Sequence, residues 1–108
     1  MKIIRVLIAT VVVLVVLQAK TPFRVIALKV TKSCSGCQLK GVEIRNVDLT
    51  GADLSNADLR WAQLDSVNLS NANLQGANLR YARLNNVTVK DTNFCGAILM
   101  NAVIGYCD

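Results

Sequence analysis

From Cys37 onward a large apolar residue returns at every fifth position: Leu39, Ile44, Leu49, Leu54, Leu59, Leu64, Leu69, Leu74, Leu79, Leu84, Val89, Phe94, Leu99 and Ile104. Two residues before each of these centres stands a small one. It is Ala, Val, Cys or Thr in all fourteen cases, from Cys37 to Ala102. Neither a 3.6-residue helix nor a plain alternating strand produces a period of five. Such a strict short period predicts a solenoid. Within each five, the small residue and the centre are two apart, so an extended segment points both to one side. The residue between them points outward, and it is Asp or Asn in half of the repeats. The two residues after the centre must turn the chain. The second of them is Gly or Asn at 41, 46, 51, 56, 71, 76, 86, 96 and 101, the types that tolerate the positive φ of a type II turn.

A longer period is superimposed on the short one. Val fills the small position at 47, 67 and 87, and an Arg-aromatic pair recurs as Arg60-Trp61 and Arg80-Tyr81. Both spacings are twenty residues, so four fives return the chain to the same side. The expected cross-section is square, and fourteen repeats give about 3.5 coils, roughly 17 Å at ~4.8 Å per rung.

Units such as Ala52-Asp53-Leu54-Ser55-Asn56 and Ala72-Asn73-Leu74-Gln75-Gly76 resemble those of the pentapeptide-repeat family. The resemblance implies an all-β solenoid, a right-handed quadrilateral β-helix, over residues 37–108. The Cys-x-x-Cys opening, the Phe94-Cys95-Gly96 to Cys107 ending and the leader resemble exported cyanobacterial members. That narrower resemblance implies the periplasm or the thylakoid lumen.

The segment before the repeats has a different pattern. Met1-Lys2-Ile3-Ile4-Arg5 is followed by an uncharged apolar run from Val6 to Leu17. Its length suits a signal-peptide core better than the ~20 residues of a membrane span. Residues 1–19 are therefore expected to be a signal peptide, with an uncleaved anchor over 3–19 as the alternative. In the latter case the leader alone would contact a membrane. Residues 20–36 are expected to hold a capping helix and linker. Thr21-Pro22 is a helix-start signal, and Phe23, Ile26, Ala27 and Val30 fall on one face. The expected helix spans 22–32 and covers the open start of the coil.

Charge and composition narrow the function. The formal net charge is +5, but residues 1–36 carry six basic groups and no acid. Residues 37–108 carry six basic and seven acidic groups and sum to −1. The basic character belongs to the leader, so nucleic acid is not an expected partner. Mimicry of DNA against a topoisomerase, which some members of the family perform, calls for an acidic cytoplasmic rod and is disfavoured. Histidine is absent, which removes the commonest acid–base group near neutral pH. Asp48, Asp53 and Asp58 lie on successive sides and cannot form a catalytic pair. No cofactor, metal or catalytic residue is expected, and the chain reads as a non-enzyme.

Four cysteines, Cys34, Cys37, Cys95 and Cys107, suggest disulfides, with three connectivities open. One zinc site shared by all four is excluded, because Cys37 and Cys95 are roughly 14 Å apart along the rod. A thiol-redox role for Cys34/Cys37 lacks the usual βαβ setting. Cys34 falls one period before Leu39, which makes Ser35-Gly36 the corner of an initial turn. The ends of such a turn lie within ~7 Å, compatible with the span of a disulfide. The favoured pairing is Cys34–Cys37 with Cys95–Cys107. The second bond requires the tail to leave the register and fold back.

One surface stands out. Lys40, Arg60, Trp61, Arg80, Tyr81 and Arg83 gather near one outer corner. Aromatic rings beside guanidinium groups are typical of interface anchors and of stacking platforms. The plainer reading is an aromatic ladder along the rod with Arg lying over it. Arg45 and Asp65, one coil apart, are expected to form an exposed ion pair of little energetic value. The leading expectation is an exported scaffold that binds an unknown protein partner through one side of the rod.

Overall fold

The computed structural model describes residues 28–101 and 104–107. The leader over 1–19, and Thr21, Pro22, Phe23, Ile26 and Ala27 of the expected cap, lie outside the described residues. So does Ala102.

Within the repeats the chain forms short extended rungs joined by corners. The longest rungs are β1 (Glu43–Arg45), β2 (Gln63–Asp65) and β3 (Arg83–Asn85), which form one parallel sheet in the order β1-β2-β3. Their register is twenty residues: Ile44 pairs with Leu64, and Leu64 with Leu84. Single bridges make three further parallel ladders at the same offset. They run through Ser33, Asp53, Asn73 and Asn93, through Gln38, Asp58, Asn78 and Ile98, and through Asp48, Asn68 and Thr88. The chain thus visits four ladders in turn, and rung backbones bond across them, as in Leu39 N–H to Asp58 O (2.8 Å) and Asp58 N–H to Cys37 O (2.8 Å).

The five-residue pattern explains which atoms go inside. From Leu39 to Leu79 every centre is buried, and Ala52, Ala57, Ala62, Val67, Ala72 and Ala77 are buried beside them. Among the described residues no polar or charged side chain is buried. Each corner is built on one left-handed residue. All thirteen positions from Gly36 to Gly96 at the second place after a centre have positive φ. They include Trp61, Ser66, Tyr81 and Asp91, which the Gly/Asn rule does not pick out. Most corners are closed by a bond from the next small residue to the centre, such as Ala52 N–H to Leu49 O (3.0 Å) and Ala77 N–H to Leu74 O (3.0 Å). The corners after Ile44, Leu64 and Leu84 carry no such bond. Their small positions are Val47, Val67 and Val87, so that twenty-residue recurrence marks one open corner in every four, although Val42 closes its own corner onto Leu39 O (3.2 Å).

The two ends depart from the repeat. Residues 28–31 are helical, and Lys32 N–H bonds to Leu28 O (2.8 Å). Lys32 then adopts φ 53°, a left-handed helix stop, and its carbonyl accepts from Asp53 N–H (2.8 Å), which joins the helix end to the first ladder. The expected face is corrected here: Val30 is 77% exposed, and Leu28 instead is fully buried in the core cluster. At the other end, the fourteenth centre is also corrected. Ile104 is 64% exposed and pairs antiparallel with Ile98, so the tail leaves the register. Gly105 donates to Ala97 O (2.8 Å) and accepts from Gly96 N–H (3.1 Å). A Cβ at Gly105 would collide with the Phe94 carbonyl, so only glycine permits this approach.

Candidate functional site

The corner that follows Leu59 and Leu79 differs from the others in what it carries. Its left-handed column reads Gly41, Trp61, Tyr81, and the column before it reads Lys40, Arg60, Arg80. The rungs are tied by Gly41 N–H to Arg60 O (2.8 Å) and Trp61 N–H to Arg80 O (3.1 Å). This fixed spacing lays the two rings together, with centroids 4.4 Å apart and planes 25° from parallel. The Arg80 guanidinium lies 5.2 Å from the centre of the Tyr81 ring. The ladder and its covering arginine are therefore both present, yet Trp61 remains 55% exposed and Tyr81 49%. Beside them runs an open groove of about 490 Å³, lined by Gly41, Trp61, Gln63, Tyr81 and Arg83.

The stack carries a backbone cost. Trp61 has φ 62° and Tyr81 φ 63°, a region that costs side chains with a Cβ about 1–2 kcal/mol each. An aromatic pair contributes only about 0.5–1.5 kcal/mol beyond its buried area. The rings are thus not what backbone preference would select at this corner. A large residue held in a disfavoured conformation is a pointer to function.

Charge is unevenly compensated at this corner. Arg60 is held by Asp58 through Nε to Oδ1 (2.8 Å) and Nη2 to Oδ2 (2.7 Å). These bonds to Arg60 keep the Asp58 carboxyl below its ordinary pKa, against a smaller opposing effect of burial. One rung later the corresponding residue is Asn78, whose side-chain Oδ1 accepts the Arg80 backbone N–H (3.1 Å) and not its guanidinium. Arg80 therefore has no carboxylate there. Among the described residues the salt bridges are Arg60–Asp58 and Arg45–Glu43. The expected Arg45–Asp65 pair is corrected: Glu43, two residues away on the outer face of β1, takes Arg45. Asp65 instead accepts from Asn85 Nδ2 (3.2 Å) on the neighbouring rung.

The outward Asp and Asn residues have a structural task that their exposure conceals. Asp48 and Asp53 accept the backbone N–H of Thr50 (2.9 Å) and Ser55 (3.0 Å), as well as those residues' hydroxyls. Hydrogen bonds from those hydroxyls first, then from the amides, lower both carboxyl pKa values. Asn68, Asn73 and Asn93 make the same backbone bond to Ser70, Gln75 and Cys95. These are local struts across a corner. The signal was available: Asp or Asn fills the place just before the centre in half of the repeats, two residues ahead of the amide it binds.

The cysteines sit at the two ends. Cys34 and Cys37 are joined with Cα atoms 5.2 Å apart, across a turn closed by Cys37 N–H to Cys34 O (3.2 Å). Cys34 is buried in the core cluster. Cys95 and Cys107 are joined with Cα atoms 4.5 Å apart, which pins the folded-back tail. A second groove of about 580 Å³ lies beside that clasp, lined largely by polar groups of the last rung and by Phe94 and Tyr106. Among the described residues there is no group of three or more Cys, Asp or Glu placed to hold a metal ion. Among the same residues no helix is long and apolar enough to cross a membrane.

Comparison with known proteins follows the repeat. The pattern described as pentapeptide repeats, in 8 copies, matches residues 33–71, 62–101 and 77–108. A pentapeptide repeat protein from the thylakoid lumen of Arabidopsis thaliana is similar at 42% identity, with a TM-score of 0.57, over 60% of this chain and 46% of that one. HetL, a pentapeptide repeat protein involved in heterocyst differentiation regulation in the cyanobacterium Nostoc, matches at 27% identity and a TM-score of 0.28. That match covers 68% of this chain and 51% of HetL. A further Nostoc pentapeptide repeat protein matches at 32% identity and a TM-score of 0.28, over 73% of this chain and 75% of that one. The chain spans about half the length of the first two relatives. A search of curated proteins finds no match. The repeat units, the parallel ladders offset by twenty residues and the matched pattern agree: the chain belongs to the pentapeptide-repeat family.

Proposed function

We propose that this chain is a non-enzymatic scaffold that binds a protein partner through the corner bearing Trp61 and Tyr81. The observation that carries the reading is the exposed aromatic stack, kept at a left-handed corner despite its backbone cost. Interface anchors are enriched in Trp, Tyr and Arg, and the corner has all three.

The architecture suits the role. The four ladders are read as the faces of a closed right-handed quadrilateral β-helix, capped at its start by the helix that ends at residue 31 and at its finish by the clasped tail. Caps of this kind keep rung edges from recruiting other strands, which leaves the sides of the rod for recognition. The leader and the two disulfides fit an exported protein. The likeness to a thylakoid-lumen protein supports a lumenal or periplasmic setting.

Crosslinking in the native host, followed by identification of neighbours, tests the proposal. Wild type is expected to give a discrete set of adducts that Trp61→Ala with Tyr81→Ala removes, at unchanged abundance of the protein. An unchanged set in the double variant refutes it.

A further inference from the structure

We infer that the partner of this corner presents an extended acidic segment with an aromatic ring. The ring seats over Gly41 as a third layer on Trp61, and the carboxylates reach Lys40, Arg80 and Arg83. This inference rests on the proposed partner-binding role of the corner and specifies the chemistry of what binds there.

Three observations converge on this occupant. The first is a vacant layer. Tyr81 covers one side of the Trp61 indole. One rung away on the other side the column holds Gly41, and a Cβ built there would meet nothing within 4 Å. A planar group entering at that level would meet the free indole face at ordinary stacking distance. The second is charge. Among the described residues Arg80, Arg83 and Lys40 form no salt bridge, and the carboxylate of Asp58 is already held by Arg60. The two carboxylates nearby, Asp58 and Glu43, are taken by Arg60 and Arg45, so the corner keeps an excess of positive charge, which favours an acidic partner and suppresses a basic one. The third is length. Two rungs separate the level of Gly41 from that of Tyr81, roughly 10 Å, which about three residues of extended chain would cover. A ring over Gly41 thus places a carboxylate two or three residues later near Arg83.

A single-stranded nucleic acid would also stack on such rings. It is the weaker reading, because the repeat region sums to −1 and offers no extended basic track for a phosphate backbone.

Trp61 is the single tryptophan of the chain, so its emission reports directly on the vacant layer. The experiment titrates the full-length oxidised protein with the peptide acetyl-Asp-Phe-Ser-Asp-Glu-amide. Parallel titrations use the same peptide with Ala for Phe, one with Lys for each acid, and an oligothymidylate. The acidic Phe peptide is expected to quench or shift Trp61 emission saturably, with an affinity that falls as salt rises. The Ala and Lys peptides should bind at least tenfold more weakly. Arg83→Gln should weaken the Phe peptide about tenfold. Gly41→Asn should fill the slot and block it. Asn already occupies the left-handed position at 46, 56, 71 and 86, so this variant should fold; circular dichroism and an unchanged melting temperature verify that. Equal binding of the Lys peptide, full binding by folded Gly41→Asn, response to the oligonucleotide alone, or no response to the Phe peptide at millimolar concentration would each overturn the inference. If the peptide fails while the corner variants still lose their crosslinked neighbours, the partner-binding role stands and this chemistry falls. If both fail, the corner is a structural ladder only.

Discussion

The stretch from Leu39 to Leu79 and the stretch from Leu84 to Cys107 obey the same five-residue pattern and pack differently. In the first, every centre is buried. In the second, Leu84, Phe94 and Leu99 are half-buried, Val89 is 42% exposed and Ile104 leaves the core altogether. The residue types are comparable, so the difference comes from neighbours. A centre in the middle of the stack has a rung on each side. A centre in the last twenty residues has one on one side only, as do Leu39, Ile44 and Leu49 at the start, but there Leu28 and Cys34 join the same buried cluster. In a repeat architecture each unit is stabilised largely by the interfaces it makes. The clasp closes part of this deficit by pairing the tail with Ile98 and tying it to Cys95.

The largest expected contrast lies in the core. Leu69→Ala removes a fully buried side chain with rungs on both sides and should cost about 3 kcal/mol or more. Val89→Ala should cost under about 1 kcal/mol, because much of its surface is already in water. Chemical denaturation of both variants measures the difference, and equal losses would contradict a stack whose last coil is open.

The clasp comes next. Cys95 and Cys107 are separated by 12 residues, so on the chain-entropy account their bond contributes about 3 kcal/mol. Replacing both with Ser should also release amide protons locally. Gly96 and Gly105, whose bonds depend on the tail, should exchange faster, while Leu79 N–H, bonded to Ile98 O, should hold. Gly105→Ala should produce the same pattern with the cysteines intact, through its collision with Phe94.

Acid should distinguish the early coil from the later one. Asp48, Asp53 and Asp58 have folded pKa values below the unfolded ones. Their contribution is therefore complete above the unfolded value, near 4, and is lost as pH falls through the folded values. The corresponding struts one coil later, Asn68, Asn73 and Asn78, do not titrate. Hydrogen exchange between pH 5 and 2.5 should loosen Thr50, Ser55 and Arg60 amides before those of Ser70, Gln75 and Arg80.

The smallest effect is expected at the aromatic corner. Exchanging Trp61 and Tyr81 for Asn relieves the backbone and forfeits the stack, two terms of about 1 kcal/mol each. The melting temperature should barely move. A large loss would mean that the rings hold the fold and would weaken the case for a binding role.

Much of the fold was legible because period two within period five fixes which side chains turn inward, whatever surrounds them. What the pattern could not convey is where it stops. Ile104 fits the repeat as well as Leu84 does, but it pairs antiparallel with Ile98 instead of adding a parallel rung, and in the sequence only the Cys95–Cys107 pairing hints at that fold-back. Val30 was misplaced because a short apolar stripe does not fix the phase of a helix, whereas Leu28 meets the first coil. Arg45 takes Glu43 although Asp65 is its register partner on the next strand, and Asp65 instead accepts from Asn85; side-chain choice among near neighbours is not written in the five-residue pattern. At the candidate site, the spacing of Arg60-Trp61 and Arg80-Tyr81 was enough to foresee the ladder. The left-handed backbone beneath the rings was hidden, since neither Trp nor Tyr is a residue type that signals it.

The most direct test of the account places a photoreactive side chain at one corner at a time in the native host. With the probe at Gln63, inside the groove beside Trp61, irradiation should give a discrete partner adduct that disappears when Trp61 and Tyr81 are changed to Ala. With the probe at Asn71, on a different corner, no such adduct should form. Equal adducts from both positions, or an adduct from Asn71 alone, would contradict recognition through the aromatic corner.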